Sequence, residues 1–272
     1  MGVLLFLGFM AGIIFLLKFS TPKKKPNVLK SHEVDDIETI LKTEVPFYTQ
    51  LQSGAHRQIF VERVHQFLER VKFSSVGKAN HNFSDEVLVA ASAMIPLYAF
   101  PEWTYNNIRE VIFKDKHFDE DFNTSDEHHI LGMVGEGFMN GCMVLSLPAL
   151  REGFDKKDGH NTAIHEFVHL IDKADGSIDG VPEYLIPKNM VEPWLRMVRN
   201  LIREIKQGDS RINPYAATDE SELFAVISEY FFEKPELLRR DHPAMYQMLN
   251  EIFDHYQGNQ LADPNAGFGV EG

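Results

Sequence analysis

One pentapeptide constrains this chain more than any other feature. His165-Glu166-Phe167-Val168-His169 has the H-E-x-x-H pattern, set in a stretch where Ile164, Phe167, Val168 and Ile171 recur at helical spacing. On a helix, residues four apart lie one turn apart on one face, so both imidazoles reach a common point. The apolar residues form a core-facing stripe, Thr162, His165, His169 and Asp172 form a polar stripe beside it, and Gly176 is a natural stop. Two imidazoles so placed begin a Zn²⁺ site, and Glu166 projects beside the metal, where it can take a proton from water. The bland alternative is a helix with two surface histidines. A third protein ligand separates the two cases.

Two downstream glutamates are candidates for that ligand. Glu222 and Glu229 lie seven residues apart on an expected helix from Asp219 to Phe232, whose apolar positions are Leu223, Phe224, Val226, Ile227 and Phe231. Seven residues is two turns, so both fall on roughly one stripe and spacing alone does not choose. Each also has an ordinary explanation. Asp219-x-x-Glu222 reads as a capping box, and Glu229 as a solvated helix position.

The remainder of the sequence reads as helix-rich with a small sheet, an α+β arrangement and not a doubly wound one. Ile59, Phe60, Arg63, Val64, Phe67, Leu68 and Val71 predict an amphipathic helix over about 55–73. A second runs from Ser84, as N-cap, to near Ile95, before Pro96. Residues 108–114 form a β-rich run, and Asn140-Gly141 predicts a type I′ turn joining strands at 130–138 and 142–147. Later helices are expected at about 161–173, 190–207, 219–232 and 242–256. The single cysteine, Cys142, excludes an internal disulfide and any Cys-rich zinc module.

The N-terminus differs in kind from the body. Residues 1–17 carry no charge, and five lysines follow by residue 30 without an acid, leaving 22 basic against 40 acidic residues in the body. Seventeen helical residues span about 25 Å, near the hydrocarbon thickness once Lys18 snorkels and Phe19 is counted. Lysines C-terminal to the apolar run place the body in the cytoplasm by the positive-inside rule. The expected organisation is an anchor at 1–20 in the inner membrane, a basic linker at 21–31, a catalytic-type domain at 32–257 and a loose tail at 258–272. A body this acidic lacks the clustered cations that phosphate contacts need, which argues against direct nucleic-acid binding.

Several blocks together resemble a known family. His160 to His169, followed by Ile171-Asp172 and Asp175-Gly176, is similar to the metal helix of the MtfA-like (Mlc titration factor A) zinc peptidases. Leu145-Ser146, Gly153, Asp158-Gly159 and Gly180-Val181-Pro182 fit around it. Asn213 to Thr218, Glu222 to Val226 and Ser228 to Phe232 resemble the family's second active-site block, and the resemblance covers roughly residues 45–256. The family usually has Trp where Leu147 stands. The resemblance implies a zincin-like fold, similar to the protease domain of anthrax lethal factor, with a Tyr-x₆-Glu spacing matched here by Tyr215 and Glu222. It thereby implies Zn²⁺ on His165, His169 and Glu222, Glu166 as general base and Tyr215 as oxyanion donor in peptide hydrolysis. Glu229 is then a candidate for supporting a ligand from behind, and Asp172 and Asp175 either orient a ligand histidine in the same way or simply cap the helix end. The family name also implies a repressor-type regulator as partner, which a membrane-tethered module could sequester without catalysis.

Overall fold

The protein is described by a computed structural model covering residues 31–115, 132–134 and 141–253. The expected membrane anchor, all but the last residue of the basic linker, and the tail lie outside these residues. Among the described residues no helix is long and apolar enough to cross a membrane.

The chain enters through α1 (Ser31–Glu44) and a short α2 (Pro46–Gln50), which bury Ile37, Leu41 and Tyr48. Helix α3 (Gly54–Arg70) is capped by Ser53 and buries Phe60, Val64, Phe67 and Leu68, the stripe its periodicity predicts. Arg63 is buried in the same stripe. Its guanidinium donates to the carbonyls of Leu97 (2.5 Å), Phe100 (3.2 Å) and Trp103 (3.2 Å), tying down the turn that follows the next helix.

That helix, α4 (Phe83–Met94), starts one residue before the expected N-cap. Asn82, not Ser84, is the cap, and it forms a reciprocal capping box with Asp85. Strands β1 (Lys72–Ser75), β2 (Glu110–Lys114), β3 (Gly132–Val134) and β4 (Cys142–Ser146) form one sheet in the order β1-β2-β4-β3. β1, β2 and β4 run parallel, while β3 is antiparallel to β4. The expected pairing of the two later strands is present, but its register sets Val134 opposite Met143. A two-residue turn at Asn140-Gly141 would instead set Val134 opposite Leu147, and residues 135–140 between the strands lie outside those described. Central β4 is almost wholly buried, whereas β2 alternates, burying Val111 and Phe113.

Helix α5 (Leu147–Asp155) follows β4 directly, with Ser146 as its cap, and α6 (Thr162–Asp172) carries the H-E-x-x-H motif. α6 packs on the sheet and on α3 through Phe167, whose ring lies edge-on to Phe67 at 5.6 Å. Helix α7 (Lys188–Gln207) buries Trp194, Val198, Leu201 and Ile205 and stops at Gly208, in left-handed conformation at φ +80°. A 3₁₀ turn over Pro214–Ala217 leads into α8 (Glu220–Glu233), then α9 (Pro235–Asp241) and α10 (Pro243–Phe253). The expected helix at 242–256 starts at Pro243, and its predicted end lies beyond the described residues. The short α2, α5 and α9, each with a proline in its first turn, carry too few turns for periodicity to reveal them.

Candidate metal centre

Two elements build the site, α6 and α8, packed directly against each other. α6 is started by Asn161, whose Oδ1 accepts from the Ile164 N–H at 3.1 Å while its amide donates to the Gly153 carbonyl. A Cβ at Gly153 would lie 3.1 Å from the Asn161 side chain, so α5 approaches this cap closely at a residue without a side chain. α8 is started by Asp219, which accepts from the Glu222 N–H at 2.9 Å. The reciprocal half of the expected capping box is missing because the Glu222 side chain turns inward instead.

It turns toward the histidines. Glu222 Oε2 lies 3.1 Å from His165 Nε2 and 3.5 Å from His169 Nε2, and the two Nε2 atoms are 3.0 Å apart. A tetrahedral centre with bonds of 2.0–2.1 Å has ligand–ligand edges of about 3.3 Å. The three separations bracket that length, and among the described residues this is the His/Cys/Asp/Glu group that could hold a metal ion. The donor set, two imidazoles and a carboxylate, is the chemistry Zn²⁺ takes.

Glu229 occupies the opposite side of His165. Its Oε1 accepts from Nδ1 at 2.8 Å and its Oε2 accepts from the Asn161 N–H at 2.5 Å. The side chain is buried, so the ordinary alternative of a solvated position does not hold, and its contact is with Nδ1, not with the Nε2 atoms that converge. Ser221 plays the same part for His169, with Oγ 3.0 Å from Nδ1. Sequence reasoning missed Ser221, since a serine in a helix's first turn reads as ordinary capping chemistry.

The electrostatics follow from burial and pairing. Burial works against a charged His165, but Glu222 and Glu229 on its two nitrogens outweigh it and hold its pKa well above the usual imidazole value. Burial likewise opposes ionised Glu222, yet the two histidines hold its carboxyl far below the ordinary range. Glu166 is 6% exposed, and burial raises its pKa, with the histidines working against that rise. The Tyr215 ring lies 6.3 Å from that of His165. The side chain is 52% exposed, and partial burial followed by the Glu222 carboxylate raises its phenol above the usual range.

Asp172 and Asp175 separate. Asp172 is buried and accepts from the Gly180 N–H at 3.0 Å, which anchors the loop after α6, with Ser221 beside it. Asp175 instead accepts from the N–H and hydroxyl of Ser177, making a local turn. Gly180 has φ +73°, and a Cβ there would sit 2.3 Å from the Glu220 carbonyl, so the loop presses on the start of α8. Trp194 secures the same loop by donating to the Gly180 carbonyl at 2.6 Å.

The sequence places the chain in a known group. The chain is 28% identical over 230 residues to an uncharacterized protein of Synechocystis sp., covering 79% of this chain and 82% of that one. It is 35% identical over 127 residues to Mlc titration factor A of Serratia proteamaculans, covering 44% and 47% of the two chains. With Mlc titration factor A of Escherichia fergusonii the identity is 32% over 147 residues, covering 51% and 54%. The match thus spans about half the length of these titration factors. Over residues 20–254 the sequence matches the family described as glucose-regulated metallo-peptidase M90, and the chain belongs to that family of metallopeptidases.

Proposed function

We propose that the protein is a zinc-dependent peptidase of zincin-like architecture, with His165, His169 and Glu222 holding the metal. The convergence of those three ligand atoms from two helices is the observation that carries the reading. Bound there, Zn²⁺ supplies Lewis acidity that polarises the scissile carbonyl and acidifies water. Glu166 takes the proton of the attacking water and passes it to the leaving amine. Its burial-raised pKa suits both halves, because a base that must also act as an acid works best near the working pH. The Tyr215 hydroxyl stays protonated across that range and donates a hydrogen bond to the oxyanion, a contribution of about 2–4 kcal/mol by analogy with other donors. Its exposure leaves it accessible to a peptide.

Two measurements test this together on the full chain purified without chelator. Zinc stoichiometry is expected to be one per chain and lost in Glu222→Ala. Hydrolysis of an unstructured protein is expected to fall by at least about 100-fold in Glu166→Gln with zinc retained. A chain without zinc, or a Glu166→Gln variant of unchanged activity, overturns the proposal.

The name shared by the titration-factor relatives favours a second reading, in which the protein binds a transcriptional regulator independently of catalysis. A Glu166→Gln chain that keeps regulator binding and the cellular function supports it over catalysis as the main role. The apolar run at 1–17 supports a further proposal, that the protein sits in the inner membrane with its body in the cytoplasm. Release of the protein from membranes by high salt alone argues against that anchor.

A further inference from the structure

We infer that Glu229 and Ser221 are positioning residues, which hold the two histidines from behind so that both Nε2 atoms face one point. The inference rests on the metal-site reading above and adds to it the residues that fix the ligands. One helix supplies every contact. Glu222 reaches the Nε2 side of both rings, Ser221 reaches His169 Nδ1, and Glu229, two turns on, reaches His165 Nδ1.

Glu229 is the stronger of the two supports. It is 4% exposed, and both its oxygens are used, one by His165 Nδ1 and one by the Asn161 N–H. A carboxylate only accepts, so Nδ1 carries the proton and, once a metal takes the other side, Nε2 presents its lone pair. The same carboxylate fixes ring rotation by tying the ring to the N–H of Asn161, the residue that caps α6. Ring, tautomer and helix start are thereby held by one side chain. His169 has a weaker support. A hydroxyl either donates or accepts, and Ser221 gains direction from the buried Asp172 carboxylate beside it.

This asymmetry makes the inference testable. Glutamine at 229 has one acceptor oxygen for two donors, and its NH₂ must face one of them, so Glu229→Gln cannot satisfy both partners. Zinc affinity of the full chain is measured by competition with a chromophoric chelator, alongside the visible spectrum of the Co²⁺-loaded protein and the urea midpoint of the metal-free protein. Glu229→Gln is expected to bind zinc about 10- to 100-fold more weakly and Ser221→Ala less than about 10-fold more weakly, with the Co²⁺ bands altered in both. Should Glu229→Gln fail to fold, Glu229→Asp retains the charge one methylene short and is expected to weaken zinc with altered bands. Wild-type zinc affinity and an unchanged Co²⁺ spectrum in the position-229 variant overturn the inference, even where metal-free stability has dropped. Failure of the underlying reading looks different, because Glu222→Ala would then bind zinc as tightly as the wild type.

Discussion

Glu233 ends α8 one turn beyond Glu229, and replacing it with glutamine is expected to stabilise the protein at alkaline pH. Its Oε2 is buried without a hydrogen-bond partner. Burial first, then the Glu229 and Asp158 carboxylates, push its pKa up to about 8, against the help of Asn161 and the Gly159 N–H. An unfolded glutamate titrates near 4.3. The sign follows from linkage. The folded state binds a proton that the unfolded state has lost, so stability falls as pH rises from about 4.3 and levels off above about 8. Integrated between pH 5 and pH 8.5, the full difference is about 4 kcal/mol for a sequestered group. Glu233 keeps some solvent contact, so screening reduces the expected value to about 2 kcal/mol. Glutamine has nearly the shape of the neutral acid and does not titrate. Urea unfolding of both proteins at the two pH values gives the double difference, which removes any pH-independent cost of the amide. A gain for Glu233→Gln at pH 8.5 that exceeds its gain at pH 5 by about 2 kcal/mol is expected. A double difference near zero refutes the reasoning, since it would mean that the carboxyl ionises as freely in the fold as outside it.

Other consequences follow from the same packing. Gly180→Ala combines a left-handed backbone with a Cβ 2.3 Å from the Glu220 carbonyl, and is expected to cost about 3 kcal/mol in urea unfolding and to weaken zinc by displacing Ser221 and Glu222. A variant with wild-type stability and zinc affinity would show that the loop does not set the start of α8. Zinc uptake at pH 7 is expected to release about one proton per chain, because the metal-free His165 holds a proton that the metal displaces. Calorimetry in buffers of different ionisation enthalpy counts it, and a count of zero means that His165 is neutral before the metal arrives.

The sequence by itself determined the elements whose periodicity is strong. Helix α3 and the H-E-x-x-H helix α6 appear where apolar spacing put them, except that α3 stops at Arg70 and residues 72–73, expected in it, begin strand β1. Gly176 closes the short 3₁₀ turn after α6 in the left-handed conformation, at φ +102°. The two histidines one turn apart are a property of the helix alone, so they were legible before any tertiary contact was known. Local chemistry also explains the misplaced cap at Ser84, since Asn82 and Asp85 offer the same capping pattern two residues earlier.

The family resemblance pointed to Glu222 over Glu229 as the ligand, but the physical division between them lies in the tertiary structure. The two share a stripe of α8, and nothing within that helix tells which meets Nε2 and which meets Nδ1. The answer comes from the way α8 packs on α6, with Glu222 near the two Nε2 atoms and Glu229 reaching back to His165 Nδ1 and the Asn161 N–H. The same holds for Ser221 and Gly180, whose meaning lies in contacts 52 residues back along the chain to His169 and forward to the Glu220 carbonyl. Spacing along one helix fixes which side chains share a face. Which atom of a neighbouring helix each one touches depends on how the two helices are oriented and seated, and that is set by packing the whole core at once.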